Sequence, residues 1–381
     1  MQTVRDLCQP HPNVLRSDPE PDIEDIAEVI EAAEQDAVAF FARNHITGGM
    51  RQLFELGIAR LDKRSDQAVT QAMGGGKTHL MVAFGLIAKS AALRTRVLDE
   101  AGINAPNGFG DAKVVAISGR NPTDNFIWGE IARQLGREDA FRKFWENGAR
   151  APGEKDWVDL IGDMPTLIML DELAPYLDYA QTRELGSGTL ANVVTYALAN
   201  LFSAAIKLPR CMVVVSNLSA AYQGASKSLA QTIANLSQEV RRSAKEITPV
   251  ALNSGEVFDI LRRRLFTKTP DRDAIDKVAV AYAKSMDEAV RSRVVAKTPE
   301  QFADEIHRCY PFHPSLRDLV AMFRNNEGFR QTRGLMRMVS RIVRDVFREG
   351  RRNNVHLIGV QHIEPPRVFR RPQPLRGWGY D

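Results

Sequence analysis

Cysteine is scarce in this chain: three in 381 residues, Cys8, Cys211 and Cys309, far apart and without C-x-x-C or Cys/His ligand spacing. That pattern excludes a disulfide framework and a zinc site, and a reducing, cytoplasmic setting is the expectation. Long apolar runs are lacking as well. No stretch approaches the ~18 to 20 apolar residues of a membrane span, and the opening MQTVRDLCQPHPNV has no apolar signal core, so a soluble protein without a membrane partner is expected. Charge of one sign is missing too: 51 Lys and Arg against 47 Asp and Glu leave +4, with a pI near 8.9. This is too mild to imply nucleic acid by itself. Internal repeats and low-complexity segments are absent. What is present is 44% hydrophobic residues in a 42.5 kDa chain, enough to bury a sizeable core in one large domain or two ordinary ones.

Periodicity divides the chain. Residues 1–60 read as a helical preface, with IEDIAEVIEAAEQ (23–35) and MRQLFELGIARLDK (50–63) spaced as amphipathic helices and Thr47 placed as the N-cap of the second. Residues 61–248 alternate. AVTQAM (68–73), KVVAI (113–117), TLIML (166–170) and CMVVVS (211–216) are compact, mostly β-branched or apolar runs, whereas KTHLMVAFGLIAKSA (77–91) is an apolar helix. Buried strands alternating with helices predict an α/β fold with a parallel sheet covered on both faces. From Pro249 to residue 350 helical patterns take over and predict a second, helical domain. Residues 351–381 form a Pro/Arg-rich tail.

QAMGGGKTHL (71–80) carries the first chemical signal. It resembles the phosphate-cradling pattern G-x-x-x-x-G-K-[ST], except that Gln71 stands where the first glycine belongs. Gly74, Gly75 and Gly76 let backbone N–H groups face an anion at the positive end of the next helix. Lys77 would reach the β- and γ-phosphates, and the Thr78 hydroxyl would hold Mg²⁺. His79 follows in the same block and is grouped with the nucleotide-contacting residues without a chemical role of its own. A glycine turn between strand and helix can also exist without a ligand.

TLIMLDE (166–172) is the second signal: an apolar strand ending in two carboxylates, Asp171 for the metal's water shell and Glu172 to polarise an attacking water. Alone it reads equally as an acidic turn after a core strand; paired with GGGKT it predicts nucleotide hydrolysis. No N-K-x-D guanine signature occurs, so ATP is the expected nucleotide. In the ATPase class that adds a strand between the two phosphate motifs, the end of CMVVVSN carries a polar sensor, and Asn217 is the residue so placed; a polar strand exit into a loop is the alternative.

Five blocks taken together, QAMGGGKTHLM, NPTDNFIWGEIARQLG (121–136), LIMLDELAPYL (167–177), YPFHPSL (310–316) and FRQTRGLMRMV (329–339), resemble a large group of bacterial and archaeal P-loop ATPases. These are encoded in phage-defence islands beside DNA methyltransferases and helicases, and the ATPase of BREX-type systems is a related member. With DAVAFFARNHITGGMRQLF (36–54) the likeness runs from about residue 36 to about 345. In that family the loop also lacks its first glycine. The resemblance implies an AAA+-like (ASCE-type) P-loop core followed by a helical lid, ATP and Mg²⁺ as ligands, Arg333 as a lid sensor, and Arg241 or Arg242 as a finger supplied to a neighbouring subunit in a homo-oligomer. It also implies defence-system partners such as a DNA methyltransferase. Relatives continue for several hundred residues beyond the ATPase part, whereas this chain closes with EPPRVFRRPQPLRGWGYD.

Between Arg333 and Arg376 stand eleven arginines and no lysine against three carboxylates, a local charge of +8. Two functions are therefore expected: an ATP-driven motor or switch acting on DNA or DNA-bound complexes in anti-phage defence, with these arginines on phosphates, or a nucleotide-dependent scaffold with little turnover. Against the first, RGLMRMVSRIVRDVFREGRR also reads as an amphipathic helix with Leu335, Met338, Val339, Ile342, Val343 and Val346 inward and its arginines in solvent.

Overall fold

The structure is a computed structural model that describes residues 1–16, 26–31, 34–73, 75–105, 107–186, 188–216, 227–250, 255–291, 297–323, 332–348 and 354–363. The chain forms two compact units. One comprises residues 23–42 and 46–250; the other comprises 1–22, 43–45 and 251–381. The first 60 residues thus divide between the units.

The sheet unit runs α1 (Gly48–Leu61), β1 (Val69–Ala72), α2 (Lys77–Lys89), β2 (Lys113–Ser118), α3 (Phe126–Gln134), β3 (Thr166–Asp171), α4 (Leu173–Gln181), α5 (Leu190–Lys207), β4 (Cys211–Ser216), α6 (Lys227–Ser243) and β5 (Ala244–Ile247), with shorter helices between. Its five strands are parallel in the order β2-β3-β4-β1-β5. Side chains alternate between two apolar layers, as period 2 requires. Val115, Ile117, Ile168, Leu170, Val213 and Val215 face one layer; Ala116, Leu167, Met169, Met212 and Val214 face the other. Because both faces are covered, the central strands read as continuous apolar runs. β5 is the strand that the apolar-run criterion misses: it lies at the sheet edge, and Lys245 and Glu246 are exposed. Thr47 caps α1 as expected, its hydroxyl accepting the Met50 N–H at 3.2 Å.

Among the described residues α5 has the length and hydropathy of a membrane crossing, but half of that window is buried. It lies on one apolar layer through Leu190, Val194, Leu198, Leu201 and Phe202, and the Trp157 indole N–H donates to Ala197 O at 3.0 Å.

The helical unit contains α7 (Glu256–Leu265), α8 (Arg272–Arg291), α9 (Pro299–Cys309), α10 (Ser315–Phe323) and α11 (Thr332–Phe347). The N-terminus completes it. Gln9–Pro10 pairs antiparallel with Phe266–Lys268, Val4 N–H reaches Val355 O at 2.7 Å, and Arg5 Nε donates to Val346 O at 2.7 Å at the end of α11. Phe266 packs between Phe312 and Phe347, each ring centroid 6.1 Å away. On α11, Leu335, Met338, Val339, Ile342, Val343 and Val346 are all buried, whereas Arg337 and Arg341, and Arg348 just past its end, are exposed.

Candidate functional site

Strand register gathers the site. Ser118 pairs with Asp171, Leu170 with Val215, and Ala72 with both Ser216 and Ile247. The carboxyl ends of all five strands therefore form one row, and the segments leaving them meet along one edge, where open parallel sheets bind ligands.

At the end of β1, Gly76 takes φ +83 and serves as N-cap of α2. That left-handed conformation favours glycine, and it turns the chain so that Lys77 and Thr78 open the helix, whose N-terminus is an anion-favouring end. Gly75 lies in the same turn. The Thr78 hydroxyl donates to Asp171 Oδ2 at 2.9 Å, joining two sequence motifs from strands that are not neighbours. Asp171 is buried, and its other oxygen accepts the Glu172 N–H at 2.9 Å. Ser216 Oγ, at the end of β4, accepts the same N–H at 2.9 Å.

Glu172 itself has φ +51, a left-handed conformation that costs a non-glycine residue roughly 1–2 kcal/mol. Such outliers persist only where the surroundings hold them. Here the shared N–H and a guanidinium do so: Arg120 Nη2 donates to Glu172 Oε1 at 2.8 Å and its Nε pairs with Oε2. Gly119 N–H donates to Asp171 O at 2.9 Å, which carries Arg120 to the tip of the carboxylate strand.

Of the residues expected from the sequence, Gly75, Gly76, Lys77, Thr78, Asp171 and Glu172 come together on this edge. His79, one helical position further, stacks its ring on Phe40 with centroids 6.1 Å apart. Gly74 and Asn217 lie outside the described residues, as do the side chains of Arg241 and Arg242 on α6 and of Arg333 on α11. Arg120 is the residue that sequence reasoning missed; the available signal was an arginine two positions past a strand that neighbours the Asp-Glu strand.

Other chemistries have less support. Burial pushes the thiols of Cys8 and Cys211 up to about 12 and that of Cys309 to about 11, which removes the thiolate that nucleophilic catalysis needs. Among the described residues no group of three or more His, Cys, Asp or Glu side chains is arranged to hold a metal. Any cation at the sheet edge would rely on Thr78, Asp171 and oxygens of its own ligand.

Comparison with known proteins gives one family match: residues 253–368, less than a third of the chain and confined to the helical unit, match the DUF499 second domain, a domain of unknown function. No curated protein matches the chain.

Proposed function

We propose that the chain is an ATP-binding and ATP-hydrolysing P-loop ATPase of the AAA+-like class, with the sheet unit as catalytic core and the helical unit as its lid. The observation that carries this reading is the 2.9 Å contact between Thr78 Oγ1 and Asp171 Oδ2, which joins the glycine-rich turn to the acidic strand tip. The strand order supports it: β4 lies between β1 and β3, as in the ATPase class with an added strand between the phosphate motifs. Lys77 would neutralise phosphate charge at the start of α2. Thr78 and Asp171 are hard oxygen donors that suit Mg²⁺, which keeps several waters and takes phosphate oxygens besides. When bound, the cation would offset charge on the transferring phosphoryl group. Glu172 would accept a proton from the attacking water.

A second reading, the scaffold with little turnover, draws support from Arg120. Both oxygens of the carboxylate assigned as base are engaged by its guanidinium, so activation of water would require that pair to part. The sensor role of Asn217 rests on its place in the sequence after β4, and the roles of Arg333, Arg241 and Arg242, subunit assembly and partners in anti-phage defence rest on the resemblance.

Binding of labelled ATP together with phosphate release tests the proposal. Lys77→Ala should abolish binding. Glu172→Gln should retain affinity while turnover falls by about 10²- to 10⁴-fold, the usual worth of a general base. Equal loss of affinity in both variants overturns the assignment. Duplex DNA should raise wild-type turnover if the protein acts on DNA; an unchanged rate favours the scaffold.

A further inference from the structure

Behind the glycine-rich turn lies a contact that no motif announces. The chain leaving β5 passes along the end of β1, where Met73 N–H donates to Ile247 O at 2.8 Å, and it then continues through Thr248, Pro249 and Val250. A Cβ placed on Gly76 would lie 3.5 Å from Val250 Cγ2 and 3.6 Å from Pro249 Cβ, so these two side chains form the wall against the last glycine of the turn.

That wall is held from the other side by the start of α1. Thr47 is only 1% exposed, and its hydroxyl donates to Pro249 O at 2.5 Å while accepting the Met50 N–H at 3.2 Å. One hydroxyl thus caps a helix and tethers the 248–250 segment. Gly49 permits the approach: a Cβ there would come within 2.2 Å of Thr248 O and 2.8 Å of Pro249 Cα. Backbone atoms cannot yield cheaply, so the first turn of α1 lies directly on this segment.

We propose that Thr47 is a positioning residue of the phosphate-binding turn, acting through Pro249 and Val250 on Gly76. The proposal rests on the nucleotide reading above for its ligand, and on contacts within the sheet unit for its geometry. A capping hydroxyl alone would need only an acceptor for Met50 N–H; the donated bond to Pro249 O is the additional function. Thr47 follows the point at which the chain enters the sheet unit, after residue 45, and Pro249 precedes the point at which it leaves, after residue 250. The tether therefore joins the entering and leaving strands of chain beside the turn.

Loss of a cap must be separated from loss of the tether. Ser90 supplies the control, because its hydroxyl caps the helix Ala91–Ala101 by accepting Leu93 N–H at 3.2 Å. Both Thr47→Val and Ser90→Ala should lower the melting temperature, Thr47→Val the more because it loses two bonds. Only Thr47→Val should weaken ATP binding, by about three- to tenfold, the worth of one net hydrogen bond. Thr47→Ser, which keeps both bonds, should restore wild-type affinity. Hydrogen exchange supplies a readout without nucleotide: the amides of Gly75 to Thr78 should exchange faster in Thr47→Val and remain as in wild type in Ser90→Ala. Equal affinities and equal exchange in Thr47→Val and Ser90→Ala overturn the positioning role. If the wild type binds no nucleotide, the ATPase reading falls, and the exchange of these four amides alone decides whether Thr47 positions the turn.

Discussion

Arginine is used in two ways: the buried guanidinium groups of the sheet unit contrast with the arginines along α11 of the helical unit. In the sheet unit, Arg60 and Arg94 are 2% and 0% exposed, and among the described residues their hydrogen bonds go to backbone carbonyls and, for Arg94, to the Asn107 amide oxygen. Arg60 donates to Ala205 O, Ile206 O and Leu208 O at the end of α5 and to Cys211 O at the start of β4. Arg94 does the same at the end of α2, reaching Ile87 O, Ala88 O, Phe109 O and Gly110 O. Helix C-termini carry partial negative charge and unpaired carbonyls, so each guanidinium serves several acceptors at once, of which Ala88 O and Leu208 O also take the Ala112 and Cys211 N–H groups. Burial lowers the pKa of both groups, yet guanidinium remains charged in proteins. On α11, by contrast, Arg337 and Arg341 stand exposed while six apolar side chains fill its inner face, although Arg5 and Arg262 of the same unit also bond helix-end carbonyls, Val346 O and Arg308 O. The lesson is that a count of arginines says little about function: some fasten helix ends, others solvate a helix.

Substitution should separate these two uses most sharply in stability. Arg94→Met removes the guanidinium donor from Ile87 O, Phe109 O and Gly110 O, while Ala88 O keeps the Ala112 N–H at 2.9 Å; it should destabilise the sheet unit by more than about 3 kcal/mol, since each buried acceptor left unsatisfied costs roughly 1–3 kcal/mol. Arg337→Met should stay within about 0.5 kcal/mol of wild type, as exposed substitutions do. Urea unfolding followed separately for the two units measures both. Comparable losses at the two positions would mean that α11 uses its arginines structurally as well.

The same contrast explains what could be read from the amino acids and what could not. β2, β3 and β4 are legible because burial on two faces demands mostly apolar residues along them, and Gly76, Lys77, Thr78, Asp171 and Glu172 are legible because they lie at a strand's last residue or in the segment just beyond it. The inward face of α11 is legible for the same reason at helical period. β5 is not, because an edge strand with Lys245 and Glu246 exposed makes its ladder from backbone alone. Gln9–Pro10 against Phe266–Lys268 leaves no side-chain pattern in two or three residues. Arg120 and Thr47 escape because their roles depend on register: Ser118 must sit beside Asp171 before Arg120 can reach Glu172, and β5 must sit beside β1 before Pro249 can reach Thr47.

Arg120 offers a smaller and sharper comparison, an arginine that neither fastens a helix end nor solvates a face. It is 59% exposed and Glu172 is 30% exposed, so solvent screens the pair and the bond is worth at most about 1 kcal/mol. If Arg120 restrains the base, Arg120→Ala should raise basal ATP hydrolysis by up to about fivefold, the rate equivalent of that energy. Arg120→Lys, which keeps charge but not the two-pronged geometry, should fall between. Steady-state phosphate release measures both. A drop in rate for Arg120→Ala would instead make the guanidinium part of the catalytic arrangement.

The smallest effect expected is one of pH, and it belongs to the helical unit. His313 Nδ1 accepts the Ser315 N–H at 3.1 Å and lies 2.7 Å from Ser315 Oγ, which requires that nitrogen to be unprotonated. Desolvation lowers the imidazole below its ordinary 6.5, with Glu305 and Asp318 pulling upward and Lys297 reinforcing the fall. A folded-state value below the unfolded one means that the unfolded chain binds more protons, so stability rises with pH across the interval. The contribution is fully present above 6.5 and is lost as pH falls through the folded-state value. Glu305 adds a separate, more acidic loss: burial opposes it, but Lys297 and Arg317 hold its carboxyl below the ordinary 4.5. His313→Asn keeps an acceptor for Ser315 N–H and removes the titration. Between pH 7.5 and 5.5, urea midpoints for the helical unit should therefore fall more steeply in wild type than in His313→Asn, while groups common to both chains cancel in the difference. Parallel pH profiles would show that the imidazole titrates alike in folded and unfolded chains.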